Sequence, residues 1–330
     1  MEHEKIDFVI IWVDGDDPEW LESYNHYKGE GGDKRVARFR DMQLLQYWFR
    51  GVEKFTPWVN KIYFVTCGQR PSWLNVNHPK LVCVDHKDYI PQKYLPTFSS
   101  QAIEVNIHRI KGLSEHFVYF NDDMYIIAPM KKEDFFKNGL PCESAVMNYL
   151  SPRSEPLNLV PFVNTAVINR NFNKKDVLIR NMSKFYTPKY RKYLLKNIQL
   201  TMGKWFPGFK YFHQPASFLK STFAEVWKKE PEVLERTTAH RFRVLTDVNQ
   251  WLFKDWQICK GKFVPRDTEI GYYGVITDRV ELKKCLNAFK SGKYKLFCPN
   301  DEDMDEFDLM VSELTAAFNK LLPEKSSFEL

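Results

Sequence analysis

Residues 117–126 read FVYFNDDMYI. Phe117, Val118, Tyr119 and Phe120 have the makings of a buried β-strand, since β-branched and aromatic residues fill pleated, packed surfaces. The run then ends on an amide and two adjacent carboxylates, Asn121, Asp122 and Asp123. Two like charges at the end of a core strand repel each other. Either the turn is solvated, as Asp-rich turns often are, or a divalent cation or cationic partner offsets the repulsion. A hard cation held by paired carboxylates would also bridge them to phosphate oxygens.

Working outward, IDFVIIWV (6–13) reads as a second buried strand ended by Asp-Gly. DMQLLQYWFRGVEKF (41–55) predicts a helix with Asp41 as N-cap and Leu45, Trp48, Phe49, Val52 and Phe55 on one face. Strands are expected at Lys61–Thr66 and Lys80–Val84. LPTFSSQAIEVNIHRIKGL (95–113) predicts a helix with an Ile103, Ile107, Ile110 stripe and Gly112 as C-cap. The order strand, helix, strand, strand, helix, strand predicts the α/β class: a Rossmann-like, mixed, largely parallel sheet flanked by helices. Beyond residue 150 the pattern is more helical. SFLKSTFAEVWKKEPEVLERT (217–237) reads as helix to about Lys229, with Pro231 ending it or beginning another. Residues 304–322 predict a last amphipathic helix, with Met304, Phe307, Val311, Leu314, Phe318 and Leu321 on one side. The expected organisation is an α/β half, 1–150, and a mostly helical half, 151–330, completing the site within one integrated catalytic domain.

The composition fits an ordinary globular chain: 330 residues, 44% hydrophobic and 27% charged. No apolar run approaches the roughly 18–20 residues of a membrane span. The N-terminal apolar stretch, Ile6–Val13, is interrupted by Asp7 and followed by acids, which does not fit a secretory signal. Six scattered cysteines without a CxxC pair predict reduced, mostly buried thiols and a cytoplasmic protein. Between Lys174 and Lys210 lie ten Lys/Arg and one acid, Asp176. They form a solvated face, a groove for an anionic glycan, or a peripheral contact with an anionic membrane surface. They match no nucleic-acid-binding motif, so nucleic acid is not an expected partner.

Two strands of the α/β half end in acids: WVDGDDPEW, with Asp14, Asp16 and Asp17, and YFNDDM. Ligands of open α/β sheets bind outside the carboxyl ends of the strands, so the two clusters would face one crevice; turn chemistry alone also accounts for Asp-Gly-Asp-Asp-Pro. Arg38 and Arg40 precede the predicted helix start, either as a place for phosphate or as a solvated basic patch. Glu104 and His108, one helical turn apart, are an acid/base pair or an ordinary surface pair. His213 in KYFHQPASF, and His240, Arg241 and Arg243 in TAHRFRVLTD, are general-base or phosphate-binding candidates. LFCPNDEDMDEFD supplies Asn300, Asp301 and Asp303, with Asp301 or Asp303 near the cap of the last helix. There is no GxxxxGK[ST] and no GxGxxG, so the usual nucleotide folds are not signalled.

Taken together, the chain resembles the Stealth family of sugar-phosphate transferases. Four blocks carry the resemblance: IDFVIIWVDGDDPEW (6–20), the long stretch from RFRDMQ to NDDMYI (38–126), HQPASFLKSTFAEVWKKEPEVLERTTAHRFR (213–243) and LFCPNDED (296–303). Gln101 stands where many bacterial relatives carry His, and is assigned no role. The resemblance implies transfer of hexose-1-phosphate from a UDP-sugar to a sugar hydroxyl of a glycan or lipid-linked oligosaccharide, with UMP leaving. A conventional metal-dependent glycosyltransferase would release UDP instead; a non-catalytic glycan- or nucleotide-binding module would release neither. The resemblance further implies Asp14, Gly15, Glu104 and Asn121 as substrate-binding residues, joined by Arg40 from its place before the helix, with Asp123 and Asn300 as ligands of Mg²⁺ or Mn²⁺, and His213, Arg241 and Asp122 as catalytic residues. His213 and Asp122 are alternative bases.

Overall fold

The computed structural model describes residues 4–29, 39–151, 159–302 and 304–330. The strands in chain order are β1 (Ile6–Ile11), β2 (Ile62–Thr66), β3 (Leu81–Asp85), β4 (His116–Phe120), β5 (Tyr125–Ile126), β6 (Phe136–Lys137), β7 (Leu140–Glu143), β8 (Ala216–Leu219), β9 (Val264–Pro265), β10 (Gly271–Ile276) and β11 (Leu296–Asp301). The main sheet runs β3-β2-β1-β4-β8, parallel through β4 and closed by antiparallel β8. It is a mixed, mostly parallel sheet flanked by helices, with a helical C-terminal part.

Alternation along the strands divides the core into two layers. Ile6, Phe8 and Ile10 of β1, with Val118 and Phe120 of β4, face Trp48, Phe49 and Val52 of helix Leu45–Phe55 and Phe318 of helix Phe307–Leu321. Val9, Phe117 and Tyr119 point to the opposite layer, among Val105, Phe223 and Phe253. Period-two alternation with both faces apolar is what a sheet covered on both sides requires. Helix Leu45–Phe55 approaches so closely that a Cβ on Gly51 would stand 2.5 Å from the Ile126 carbonyl oxygen. Only glycine permits that contact.

β8 comes from the second half of the chain. β11, also from that half, pairs antiparallel with β5, and β10 lies parallel on its other side. Both sheets therefore draw strands from each side of residue 150. The turn Asn121–Met124 connects β4 of the first sheet to β5 of the second; it is closed by a Met124 N–H bond to the Asn121 carbonyl at 3.2 Å. A third small sheet runs β6-β7-β9. Among the described residues, no helix is long and apolar enough to cross a membrane, and the six cysteines are free, four of them buried.

Several expectations are corrected locally. The helix expected from Asp41 begins at Leu45 without a side-chain cap; Asp41 instead accepts the Gln43 N–H at 2.9 Å in a tight turn. The helix expected over 95–113 is a short one, Ser100–Val105, followed by a 3₁₀ turn. The break falls at buried Asn106, whose amide bonds the Ala102 carbonyl and the Thr238 hydroxyl. Residues 217–219, read as the start of a helix, belong to β8; helices Lys220–Lys229 and Pro231–Ala239 follow. An antiparallel partner for β4 overrides the helical spacing there.

Asp7 does not interrupt β1. Its buried carboxylate accepts from the Asn60 amide (2.6 Å), the Lys61 N–H (3.1 Å) and the Ser114 N–H (2.7 Å). This one group joins the start of β1 to the segments that lead into β2 and β4. Asp7→Ala would leave three donors unpaired, and is expected to destabilise the fold by about 3 kcal/mol, read as a lowered urea midpoint.

Candidate functional site

Strand register assembles the site. Tyr119 of β4 lies opposite Ala216 of antiparallel β8, so the chain leaving β4 runs past the chain entering β8, and Asp123 meets His213. Tyr125 of β5 lies opposite Phe297 of antiparallel β11, so residues before Tyr125 meet residues after Phe297, and Asp123 meets Asn300. His213 Nε2 lies 3.2 Å from Asp123 Oδ2, and Asn300 Nδ2 donates to the same oxygen at 3.2 Å. The other oxygen, Asp123 Oδ1, is buried without a protein partner. His213 is held at φ 45°, in the left-handed region, which a non-glycine residue adopts only under constraint.

These residues line a cleft of ≈ 340 Å³ together with Arg40, Asp41, Asn121, Asp122, Arg243 and Glu302. It adjoins a narrower pocket that shares Asn121, Asp122 and Arg243 and is walled by Trp12, Trp20 and Phe98. A third cavity continues past Trp20, Phe98, Cys67 and His86 to Asp85 and Gln69. The trough follows the carboxyl ends of β1 to β4, where ligands of open α/β sheets bind.

The electrostatics are those of crowded acids partly neutralised by two cations. Burial would raise the Asp123 carboxyl, but the His213 charge and the hydrogen bonds from His213 and Asn300 outweigh it and hold it low. Burial would lower His213, but Asp123 outweighs it and raises the imidazole. Asp122, open to the cleft, is raised by the surrounding walls and by the neighbouring charges of Asp123 and Asp41. Glu104 is buried and pushed up to about 7 by desolvation, opposed by Arg243. The Tyr119 hydroxyl stands between Glu104 Oε1 (3.1 Å) and Asn121 Oδ1 (2.6 Å). It has one proton for two acceptors, an arrangement that a protonated Glu104 resolves.

The acidic cluster after β1 is used differently from expected. Asp17 caps helix Pro18–Tyr27 by accepting the Trp20 N–H at 2.7 Å. Asp14 accepts the Asp16 N–H, and its own backbone is gripped by the Gln69 side chain, which accepts from Asp14 N at 2.9 Å and donates to Asp14 O at 2.8 Å. Asp14 reaches the site through its field, which adds to the raising of Asp41 after desolvation. Gly15 packs under the Phe39 backbone, where a Cβ would stand 2.2 Å from the carbonyl oxygen. Neither Asp14 nor Gly15 is among the residues lining the cleft, while Asp17 lines the third cavity of the trough. Arg40 does line it, its Nε donating to Asp301 Oδ2 at 3.0 Å and its guanidinium 4.0 Å over the Phe307 ring. Arg38 and Asp303 lie outside the described residues. Asp301 accepts the Met304 N–H at 3.1 Å, but helix Phe307–Leu321 starts beyond it without a side-chain cap. Glu104 and His108 are neither a surface pair nor an acid/base pair: the helix ends between them, and His108 packs beside Phe223 and Trp227, with burial lowering it to about 4.

Arg241 is turned away from the cleft lining. Its Nη1 donates to the Pro96 carbonyl at 2.5 Å, its guanidinium sits 4.0 Å over the Tyr27 ring, and its carbonyl accepts the Phe98 N–H. Of these two neighbouring arginines, the one that lines the cleft is Arg243, beyond a bend at 241–242. Arg243 is among the phosphate-binding candidates of the sequence and Asp41 is the expected helix cap; Cys298 and the Tyr119 hydroxyl carry no motif that points to the site. The Cys298 thiol lies with one atom each of Asp123 and His213, all within 4.8 Å of one another. The residues present fit a divalent cation: Asp123 Oδ1 is an orphaned buried carboxylate oxygen, and Asn300, donating through Nδ2, leaves its side-chain oxygen for ligation.

Family models for Stealth protein conserved region 1 and conserved region 2 match residues 4–32 and 38–142. A capsular polysaccharide phosphotransferase WcwK of Streptococcus pneumoniae is 43% identical over 99% of this chain and 98% of its own length. The receptor polysaccharide phosphotransferase WefC of Streptococcus gordonii is 43% identical over 99% of both. The exopolysaccharide phosphotransferase cps2G of Lactiplantibacillus plantarum is 40% identical over 98% of this chain and 96% of its own. Among solved structures, the galactosyltransferase LgtC with donor and acceptor sugar analogues matches with a TM-score of 0.42 at 9% identity, over 97% of this chain and 98% of that one.

The two arginines are separable by stability. Arg241→Ala removes a stacked, hydrogen-bonded brace and is expected to cost about 1–2 kcal/mol in urea unfolding, whereas Arg243→Ala should stay within about 0.5 kcal/mol.

Proposed function

Because the chain belongs to the Stealth family, we propose that it transfers a sugar-1-phosphate from a UDP-sugar to a hydroxyl of a glycan acceptor, free or lipid-linked, with UMP as leaving group. The observation that carries this reading is the junction of Asp123, His213 and Asn300 inside a cleft that also holds Arg243. Relatives named as polysaccharide phosphotransferases support the transferred group.

The nucleoside would lie in the aromatic part of the trough, between Trp20 and Phe98, and the pyrophosphate over Asn121, Asp122 and Arg243. A Mg²⁺ or Mn²⁺ held by Asp123 Oδ1 and the Asn300 side-chain oxygen would neutralise pyrophosphate charge. The acceptor oxygen attacks the phosphorus that bears the sugar. The bond from that phosphorus to the bridging oxygen breaks, and UMP departs with that oxygen. In its neutral form, with the Nε2 proton donated to Asp123, His213 would take the acceptor proton at Nδ1, a role worth roughly 10²–10⁴-fold. Asp122 is the second candidate base. Arg243, in the role that the family resemblance implied for Arg241, stabilises charge on the phosphoryl oxygens. Arg40, fixed by Asp301 and Phe307, borders the same space, and Glu104 supports Asn121 through Tyr119. Asp14 and Gly15 act indirectly, by shaping the loop under Phe39.

The test is incubation with a panel of UDP-sugars, a glycan acceptor and Mg²⁺ or Mn²⁺, with UMP and UDP separated chromatographically. UMP and a phosphodiester product are expected, both lost with chelator and with Asp123→Ala. UDP would assign the chain to conventional glycosyl transfer and overturn the proposal. His213→Ala should lower turnover by about 10²–10⁴-fold with donor binding kept; wild-type turnover in that variant would move the base to Asp122.

A further inference from the structure

Donor chemistry leaves the surface at residues 193–205 unexplained. Leu195 and Ile198, three apart on helix Tyr193–Gln199, are 71% and 53% exposed; Met202 and Trp205, in the turns that follow, are 86% and 54% exposed. Fourteen large hydrophobic side chains are exposed among the described residues, and eight of them lie between positions 149 and 205. Scattered single exposures are ordinary; four on one short segment, Leu195, Ile198, Met202 and Trp205, are a local concentration that suits an interaction surface.

The backbone beneath the patch is firmly held. The ammonium of buried Lys174 donates to the carbonyls of Leu200 (2.6 Å), Met202 (3.0 Å) and Gly203 (3.3 Å). The hydroxyls of Tyr186 and Thr201 meet at 2.5 Å. The apolar side chains are therefore presented by an anchored turn.

Cations border the patch. Exposed Lys204 lies with its ammonium 4.8 Å from the Trp205 ring centroid, and exposed Lys192 precedes Tyr193. Not all ten cations of 174–210 are available. Lys174, Lys184 and Lys189 donate to backbone carbonyls, Lys196 donates to the Asn148 side chain, and Arg191 pairs with Asp267. What remains beside the patch is an apolar crown with a basic rim, the pattern of a surface that enters a headgroup layer and pairs with lipid phosphates.

We propose that this surface docks the protein on an anionic bilayer, with Leu195, Ile198, Met202 and Trp205 entering the headgroup boundary and Lys192 and Lys204 paired with lipid phosphates. The charge complementarity of the rim selects a lipid surface over a second copy, whose identical rim would repel it. The proposal goes beyond donor chemistry and stands if the phosphotransfer reading fails. Its consequence for the site is proximity: the Tyr193 ring packs edge-on against Phe212 at 5.5 Å, and Phe212 directly precedes His213. A glycan held on the bilayer would meet the His213 side of the cleft.

The test is flotation of the full chain with vesicles of phosphatidylcholine alone, or of phosphatidylcholine and phosphatidylglycerol in equal parts. The wild type is expected to float with the mixed vesicles and remain below with the neutral ones. Two double variants, Leu195→Ser/Trp205→Ser and Lys192→Glu/Lys204→Glu, should each lower the bound fraction by about tenfold or more, with unchanged circular dichroism and unchanged donor turnover in solution. Failure of the folded wild type to float would overturn the proposal. So would equal flotation with neutral vesicles, or wild-type flotation of the serine variant. A concentration-dependent dimer in sedimentation, abolished by the same serine pair, would give the patch to a second copy and also overturn it. Solution turnover is read separately, so failed docking and failed phosphotransfer are distinguishable.

Discussion

The structure depends on how one carboxylate, Asp123, is neutralised. It sits buried beside a second acid at the end of a core strand, where two like charges are costly. His213, 90 positions away, and Asn300, 177 positions away, both close on Asp123 Oδ2. Neither contact is local; each follows from an antiparallel pairing that extends the sheets with strands from the second half of the chain. The acids that begin as a problem for β4 thereby become the point where three distant segments meet. They also leave one carboxylate oxygen unpaired and facing a need for positive charge.

The α/β class and the strands β1 to β4 are legible in the chain because both faces of this sheet are covered and its strands are apolar. So is the acidic end of β4, because a charged pair after four apolar residues stands out. What is not legible is where the chain bends between neighbouring candidates. Arg241 and Arg243 are two residues apart and chemically alike, yet one braces Tyr27 and the Pro96 carbonyl and the other lines the cleft. Asp14 and Asp17 look like the acids after β4, but their carboxylates accept the turn and cap N–H groups of Asp16 and Trp20. Glu104 and His108 have helical spacing, and only buried Asn106 reveals that the helix does not continue between them.

Rigidity is built into the His213 position rather than added around it: its left-handed backbone costs on the order of 1–3 kcal/mol and is held by β8 immediately downstream. On the other wall, the Tyr119 hydroxyl ties Glu104 to Asn121, so a residue buried under the sheet edge controls how an amide at the cleft floor is oriented. The two walls are thus fixed by different means, one by backbone geometry and one by a buried proton.

Asp7 has a further effect on how the sheet chooses its pairing. A slip of β1 by one residue would move its carboxylate to the opposite face, among the phenylalanines that pack on helix Leu45–Phe55, and would separate it from the donors at Asn60, Lys61 and Ser114. The apolar residues of β1 alone would tolerate such a slip, since both faces of the strand are greasy. A single charge within the strand therefore acts as a key for alignment, making the wrong pairings costly while the right one is fully bonded, and it sets the level at which the far ends of β1 and β4 deliver their acids.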